Sequence, residues 1–521
     1  MKKEFLLTSS LIILGALSAV GQTKRPNVVY INADDLGYGD LSCNGMKQIQ
    51  TPNVDRVASQ GVRHTNMHTT SATSTPSRFS LLTGQYAWRV KGTGVAKGDA
   101  AMVVKPEMQT LPDMMHRAGY TTAAVGKWHL GLGAVSGKQN WNGEITPGLV
   151  DIGFDYSYIM AATGDRVPCV YIENARVVGL DPNDPIQVSY TTPFEGLPTG
   201  KNNPEMLKLH PSHGHDQALI NGISRIGYMK GGQSALWKDE EIADRITGAA
   251  VDFIEREAKA DHPFFLYFCT NDIHVPRAPH DRFVGLSGMG ARGDAILEFD
   301  WSVGRVLDVL DSLGIADNTL VIITSDNGPV VDDGYRDRAV ELLGDHKPWG
   351  AMRGGKYSIF EAGTRVPMLA RMPGLIKAGT VSGAALSNVD IFASLAALVG
   401  VELVAGEAPD SENQLLALVG RDKKGRRYIV EDASTRSITC GDWKYIRPNN
   451  GAAYSKYTNT EYGNDPQDQL YNLRRDYGER INVAAGHPRK VAELKALLAG
   501  CEARADASVF WSLPRRTRGV F

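Results

Sequence analysis

Two polar pairs stand directly after apolar runs of the sequence. Asp34-Asp35 follows the run 27–32, and Asp326-Asn327 follows the run 319–324. Three carboxylates and one amide provide only hard oxygen ligands, which suit Ca²⁺ or Mg²⁺ rather than Zn²⁺. A single Asp-Asp pair is more often an ordinary loop cap, but two such pairs at two strand ends indicate a metal site. The sequence holds no His-rich second ligand set, so we expect a single ion.

Basic and imidazole side chains follow two further apolar runs in the same way. Lys127 and His129 come after the run 120–125, and His274 comes after the run 263–268. Ligands of open parallel sheets bind outside the carboxyl ends of the strands. If these runs are strands of one sheet, carboxylates, an amide, imidazoles and an ammonium group converge on one of its edges. Taken singly, either histidine would more often be a buried structural residue.

The segment Ser-Thr-Pro-Ser-Arg at 74–78 opens a helical pattern that Gly84 can end. Pro76 suits the first helical position, and Thr75 or Ser74 can cap the helix. Ser74 then lies at a helix N-terminus, where backbone N–H groups and the helix dipole favour an anion. Arg78 is one turn further in and could reach the same anion. A capped helix explains these residues equally well, so helix chemistry alone leaves the role of Ser74 open.

These side chains need a sheet that brings distant parts of the chain together. Short apolar runs rich in β-branched residues are typical of buried parallel strands. Strands are predicted at 27–32, 120–125, 263–268 and 319–324, and helices at 51–60, 76–83, 110–118, 239–259 and 293–313. Strand alternating with helix predicts an α/β fold whose large, mixed, mostly parallel sheet is sandwiched by helices.

The chain divides into three predicted parts. Lys2 and Lys3 precede an apolar run at 5–20 that is followed by small residues, which is the pattern of an export signal. The run is shorter than the roughly 20 apolar residues of a membrane span, and no later segment qualifies as one. We predict a signal peptide over 1–21, a catalytic α/β domain over 22–424, and a C-terminal α+β subdomain of antiparallel strands over 425–521. The signal predicts a periplasmic or secreted protein.

The composition excludes some classes of function. The 521 residues carry a formal net charge of −2 and no long basic run, which disfavours nucleic-acid binding through phosphate attraction. An anionic substrate would have to be held by a few local cations. The five cysteines have neither the spacing of a disulfide framework nor a CxxC pair, so we treat them as structural and leave their pairing open.

The run from Ser74 to Gly84 resembles the formylglycine signature of type I sulfatases, in the Ser-type form of bacterial arylsulfatase-like members. Further stretches of this family occur in the family's order. They are Asp34-Asp35, Gly126-Lys127-Trp128-His129, Ser325-Asp326-Asn327-Gly328, Gly354-Gly355-Lys356, the stretch 361–367 and the stretch 468–473. The resemblance covers most of the mature chain and implies the fold of the alkaline phosphatase superfamily. It also implies hydrolysis of sulfate monoesters.

The same resemblance implies a role for each matching residue. Ser74 would be oxidised to formylglycine (3-oxoalanine) by a radical maturase, and its hydrate would supply the nucleophilic oxygen. One Ca²⁺ ion, or else Mg²⁺, would be bound by Asp34, Asp35, Ser74, Asp326 and Asn327. The transferring group would be surrounded by Arg78, Lys127 and Lys356. His274 would protonate the leaving alcohol, with help from Lys356, and His129 would take the proton that triggers sulfate release.

The substrate is less well defined. Arg166, His215 and His346 lie in polar loops and are candidate sugar contacts, although a solvated loop explains them equally well. The resemblance suggests a sulfated carbohydrate of the galactose or N-acetylgalactosamine type. The alternatives are a phosphate or phosphonate ester hydrolase of the same superfamily and a non-catalytic glycan-binding homologue whose Ser74 stays unmodified. The oligomeric state stays open.

Overall fold

A mixed sheet of 11 strands organises the computed structural model, which describes residues 25–503. In chain order the strands are β1 (Asn27–Ala33), β2 (Val62–His68), β3 (Thr121–Lys127), β4 (Tyr156–Met160), β5 (Tyr171–Glu173), β6 (Arg176–Val177), β7 (Gln187–Ser189), β8 (Leu219–Ile220), β9 (Ile223–Ser224), β10 (Tyr228–Lys230), β11 (Phe264–Cys269), β12 (Thr319–Ser325), β13 (Arg365–Arg371), β14 (Thr380–Ser382), β15 (Leu386–Ser387), β16 (Tyr428–Asp432), β17 (Arg436–Cys440), β18 (Trp443–Ile446) and β19 (Gln469–Asn472).

The main sheet has the strand order β14-β2-β13-β12-β1-β11-β3-β4-β5-β6, and β15 also pairs with β2. The central strands β12, β1, β11 and β3 are parallel neighbours, whereas β13 runs antiparallel to both β12 and β2. These four central strands are the ones that the apolar runs predict. They are almost completely buried because helices cover both faces, which explains their continuous apolar sequence.

The helices flank this sheet. They are α1 (Pro52–Gln60), α2 (Ser74–Thr83), α3 (Leu111–Arg117), α4 (Ile242–Glu257), α5 (Gly290–Ser312), α6 (Glu361–Thr364), α7 (Ile391–Val399), α8 (Leu415–Leu418) and α9 (Pro488–Glu502). The first five agree with the predicted helices within a few residues. In the described part of the chain, no helix is long and apolar enough to cross a membrane.

A second, antiparallel sheet of four strands, β16-β17-β18-β19, follows the main sheet, and α9 packs against β17 and β18. This agrees with the predicted mixed fold and its small antiparallel part. The boundary at 424/425 stays a prediction, and the predicted signal peptide at 1–21 lies outside the described residues.

A buried ionic cluster joins the two sheets. Lys444 on β18 is fully buried, and its Nζ lies 2.9 Å from Glu361, 3.3 Å from Glu431 and 3.3 Å from Glu479. Arg365 Nη1 lies 2.7 Å from Glu361 and contributes a second positive charge. Burial raises the pKa of Glu479 to about 8. The cluster therefore depends on Lys444 to balance acidic groups from three separate segments.

Lys444→Met is expected to lower the free energy of unfolding by about 3 to 5 kcal/mol, the usual cost of removing one partner from a buried ion pair. The three carboxylates would lose a counter-charge that no solvent replaces. Denaturant unfolding at neutral pH measures the change. Lys495→Met is the matched control, because Lys495 is 58% exposed and lies 3.4 Å from Asp468. Equal stabilities of the two variants would contradict a supporting role for the cluster.

Candidate active site

The carboxyl ends of four adjacent parallel strands carry the predicted site residues. β12 leads into Asp326-Asn327, β1 leads into Asp34-Asp35, β3 ends at Lys127, and His274 follows β11. All of these side chains are buried, with at most 4% of the residue surface exposed. Because the strands are parallel neighbours, residues almost 300 positions apart in sequence meet at one edge of the sheet.

The two polar pairs are in direct contact with each other. Asn327 Nδ2 donates to Asp35 Oδ1 at 2.7 Å, and the backbone N–H of Asp35 donates to Asp326 Oδ1 at 3.3 Å. Asp35 adopts a left-handed backbone conformation with φ of 60°, which is uncommon for a residue other than glycine. The strained turn is held between β1 and β12, as is usual where backbone strain positions functional side chains.

Ser74 faces these pairs from the first turn of α2. Its Oγ donates to Asn327 Oδ1 at 3.1 Å and accepts from Lys127 Nζ at 2.9 Å. The helix begins at Ser74 itself, so Thr73, rather than Ser74 or Thr75, occupies the N-cap position. Thr75 Oγ1 instead donates to the backbone oxygen of His129 at 2.9 Å. The whole helix is buried, which leaves its N-terminus pointing into an enclosed site.

Three cations surround this group of oxygens. Arg78 Nη2 lies 2.8 Å from Asp326, and Lys127 Nζ lies 2.5 Å from Asp34. Lys356 Nζ lies 2.8 Å from Asp35 and 2.7 Å from Asp333. Asp333 is a site residue that was not predicted from the sequence. This buried residue also accepts a hydrogen bond from Tyr357 Oη at 3.0 Å and so fixes the position of Lys356.

The acidic groups fit a divalent cation. Asp34 is fully buried, and within residues 25–503 its Oδ1 accepts no hydrogen bond. Burial raises the pKa of Asp34 to about 8, so the carboxylate lacks enough positive charge around it. Asp34, Asp35 and His274 each offer a ligand atom, and these atoms lie within 4.8 Å of one another. With Asp326 adjoining, the oxygen-rich donor set suits Ca²⁺ or Mg²⁺.

The two histidines present different nitrogens to the site. His274 Nδ1 donates to the backbone oxygen of Val275 at 2.6 Å, and its Nε2 lies 3.8 Å from Asp35 Oδ2. His129 Nε2 donates to the backbone oxygen of Ala96 at 3.0 Å, which leaves Nδ1 without a partner among the described residues. Burial lowers the pKa of both rings well below the usual value. Burial therefore favours the neutral form of both imidazoles.

The three candidate sugar contacts bind two different carboxylates. Arg166 Nη1 and His215 Nε2 both bind Asp165, at 2.8 Å and 2.9 Å, so these two residues share one carboxylate. His346 Nε2 instead donates to Asp40 Oδ1 at 2.7 Å and is 5% exposed. His346 therefore does not share the carboxylate that binds the other two. Its role as a sugar contact stays a prediction.

Comparisons with known proteins give a consistent result. The sulfatase family model matches residues 26–401. The chain is 53% identical to an N-acetylgalactosamine-6-O-sulfatase of Bacteroides thetaiotaomicron, over 92% of this chain and 94% of that protein.

Two solved structures show how the fold compares with those of known proteins. A 6S-sulf protein, from work on the metabolism of multiple glycosaminoglycans by Bacteroides thetaiotaomicron, superposes with a TM-score of 0.91 at 53% identity, covering 92% of this chain and 100% of that one. A phosphonate monoester hydrolase of Agrobacterium radiobacter superposes with a TM-score of 0.55 at 18% identity, covering 92% and 96% of the two chains. At that identity the second likeness concerns the fold alone.

Proposed function

Because the chain belongs to the sulfatase family and hydrolyses sulfate monoesters, we propose that its substrate is a 6-O-sulfated N-acetylgalactosamine unit of a sulfated glycan. The 53% identity to an N-acetylgalactosamine-6-O-sulfatase over most of both chains supports this substrate. The observation that carries the proposed mechanism is the position of Ser74 Oγ, 2.9 Å from Lys127 Nζ and 3.1 Å from Asn327 Oδ1 beside the acidic pairs.

Residue 74 provides the proposed nucleophile. Oxidised to formylglycine by a radical maturase, it would offer as a hydrate both an attacking oxygen and a second hydroxyl whose deprotonation expels sulfate. Lys127 Nζ already donates to the Ser74 oxygen and so holds it in place. Burial lowers the pKa of Lys127, although the charges of Asp34 and Asp326 oppose that effect. Lys127 therefore stabilises a developing negative charge on the oxygen at residue 74.

The acidic pairs provide the proposed metal site. Asp34, Asp35, Asp326, Asn327 and residue 74 would hold one Ca²⁺ or Mg²⁺ ion, which when bound polarises the sulfate group and lowers the pKa of the nucleophile. Arg78 and Lys356 add positive charge through their contacts with Asp326 and Asp35. With a divalent cation bound, these residues would balance the negative charge that an incoming sulfate ester adds to a buried site.

The two histidines suit opposite proton transfers. His129 Nδ1 is a free acceptor on a neutral ring, which fits a base that starts sulfate release. His274 Nε2 faces the site because Nδ1 is held by a backbone oxygen. An arriving sulfate anion favours the protonated ring, and Nε2–H can then protonate the leaving alcohol. Lys356 is the weaker acid, because the charges of Asp333 and Asp35 outweigh burial and raise its pKa.

His274→Ala is expected to lower kcat on sugar sulfates by about 10²- to 10⁴-fold, the usual contribution of a positioned general acid. Aryl sulfates with an acidic leaving group need little protonation, so their turnover should fall much less. The plot of log kcat against leaving-group pKa therefore becomes steeper in the variant. An equal loss on both classes of substrate would rule out the acid role.

A substrate panel tests the proposed function. We expect kcat/KM for N-acetylgalactosamine 6-sulfate to exceed that for the 4-sulfate and for the 6-phosphate by at least about tenfold, as for a site built around specific polar contacts. Comparing the 6-phosphate with the 6-sulfate distinguishes a phosphatase from a sulfatase, because the two esters share the same alcohol and differ only in the group that is transferred. Faster hydrolysis of the 4-sulfate would contradict the proposed position, and faster hydrolysis of the phosphate would contradict the proposed mechanism.

We also propose that residues 1–21 direct export to the periplasm or beyond and that maturation precedes activity. The intact mass of protein purified from its native host tests both points. It should correspond to a chain that starts near Gln22 and has lost ~2 Da at residue 74, the difference between a serine and an aldehyde. A mass that includes residues 1–21 would contradict cleavage, and an unmodified serine in active protein would contradict the formylglycine mechanism.

A further inference from the structure

A cleft of about 790 Å³ lies where the main sheet meets the antiparallel sheet. Its lining includes Asn66 and His68 of β2 and residues 424–429. It also includes Thr439, Gly441 and Asp442, at the turn between β17 and β18, and Leu473, Arg474 and Tyr477. The cleft contains Lys424, Arg427 and Arg474, and we call it the cationic cleft.

The charges of the cationic cleft are largely unbalanced. Lys424 and Arg427 are exposed, and within residues 25–503 neither side chain forms an ion pair. Arg474 Nη1 lies 4.0 Å from Asp442, the acidic residue of the lining, and its side chain is 81% exposed. Three cations thus face one carboxylate. Each of these cations can accept an anionic partner without first breaking a strong internal contact.

The backbone around the basic segment is firmly held. Arg426, between Lys424 and Arg427, is buried and forms an ion pair with Asp390. Its Nη2 also donates to the backbone oxygen of Asp410 at 3.1 Å. Because Arg426 anchors the segment, the backbone of its two exposed basic neighbours, Lys424 and Arg427, is held in place. A preorganised pair of cations loses less conformational entropy on binding than two cations on a mobile loop.

The exposed side chains of the cationic cleft are of the types that bind oxyanions. A lysine ammonium group offers three N–H donors, and an arginine guanidinium group offers five. Planar guanidinium groups such as that of Arg427 bind sulfate-like and carboxylate groups through two parallel hydrogen bonds. The donors of the cleft match the anionic groups of a sulfated glycan.

We propose that the cationic cleft is a second binding site for the glycan, which takes an anionic segment of the polymer through its sulfate or carboxylate groups. The inference rests on the proposed function, since it assumes a polyanionic substrate. The chain as a whole has a net charge of −2 and cannot attract such a polymer over a long distance. A local excess of positive charge supplies that attraction.

The cleft is close enough to the reaction centre to act on the same polymer. β2 ends at His68 in the cleft lining, and Ser74 follows six residues later. Six extended residues span at most ~20 Å, so the distance between the two sites is within the length of a glycan of several sugar units. Binding at the first site then raises the local concentration of sulfate esters at the second.

Direct binding tests the site without turnover. In a Ser74→Ala background, the triple variant Lys424→Ala, Arg427→Ala, Arg474→Ala is titrated calorimetrically with a polymer of N-acetylgalactosamine 6-sulfate and uronic acid. We expect Kd to rise about tenfold, as for the loss of three partly exposed ionic contacts. The matched control removes three exposed cations outside the cleft, Lys47, Lys259 and Arg305, and should leave Kd within about twofold if local charge decides binding.

Two further experiments show whether the cleft recognises sulfate or carboxylate groups, and distinguish the proposed cleft from the proposed substrate. A uronic acid polymer without sulfate shows whether carboxylates alone suffice. In the active enzyme, the ratio of kcat/KM for the polymer to that for the 6-sulfated monosaccharide should fall about tenfold in the cleft variant, because avidity is lost. If the wild-type enzyme does not hydrolyse the 6-sulfated monosaccharide, the proposed substrate is wrong, but the proposed binding site in the cationic cleft is unaffected. Equal Kd values for the cleft variant and the control variant would contradict the proposal that the cationic cleft binds the glycan.

Discussion

Ser74→Ala is expected to lower kcat/KM for sulfate esters by at least ~10⁴-fold, the scale of loss seen when a covalent nucleophile is removed. The substitution removes the oxygen that Lys127 and Asn327 position, at 2.9 Å and 3.1 Å, beside the acidic pairs. Neither neighbour can replace it, because Lys127 carries a positive charge and Asn327 offers an amide. Sulfate release by protein matured in its native host measures the effect.

A matched variant separates chemistry from folding. Ser80 lies in the same buried helix, and its Oγ accepts a hydrogen bond from the backbone N–H of Ala87 at 3.2 Å. Ser80→Ala should therefore cost ~1 kcal/mol of stability and leave kcat/KM nearly unchanged. Both variants should still bind the sulfated polymer. Residual activity of Ser74→Ala within tenfold of the wild-type value would show that another group attacks the ester.

The central strands could be predicted from the sequence because burial on both faces requires continuous apolar runs. Other strands carry no such signal. β13 is fully buried between β12 and β2, yet it contains Pro367, which normally argues against a central strand. The structure resolves the conflict with a register shift between Val366 and Met368, so the missing N–H falls at an irregularity in the ladder. β2 has a polar sequence and could not be recognised by its hydrophobicity.

The central residues of the site could be predicted from the sequence, because polar residues at the carboxyl ends of neighbouring parallel strands lie at one edge of the sheet. Residues in long loops obey no such rule. Asp333 and His346 both lie between β12 and α6, but Asp333 binds Lys356 at the site whereas His346 binds Asp40. Their positions in the sequence do not show which of the two residues contacts the site. Only the tertiary contacts of the loop do.

The cationic cleft shows a similar limit. Four of the five residues at 423–427 are basic, which is a recognisable signal in the sequence, although too short to indicate a polyanion site by itself. The folded chain divides their roles, because Arg426 turns inward to Asp390 while Lys424 and Arg427 stay exposed. This alternation depends on the register of the segment that leads into β16, which composition does not specify.

Removing divalent cations is expected to abolish sulfate-ester hydrolysis, and Ca²⁺ or Mg²⁺ should restore it. The physical reason is the imbalance of charge at the site. Four buried carboxylates face three cations, and burial raises the pKa of Asp34 to about 8. A bound cation should also stabilise the fold by about 2.7 kcal/mol at a concentration 100 times its Kd, because it binds the native state alone. Thermal unfolding of cation-free protein measures this without any assay of activity.

The pH dependence of that stabilisation gives a sharper test. The pKa of Asp34 is raised from 3.8 to about 8, so its contribution to cation-free stability is fully present below pH ~4 and is lost progressively as the pH rises to about 8. A cation replaces the proton, so the gain in Tm on adding Ca²⁺ should grow as the pH rises to ~8 and then level off. Asp34→Asn should reduce both the gain and its pH dependence, whereas Asp252→Asn, at an exposed position of α4, should change neither. If Ca²⁺ raises the Tm of Asp34→Asn as much as that of the wild type, the cation binds elsewhere.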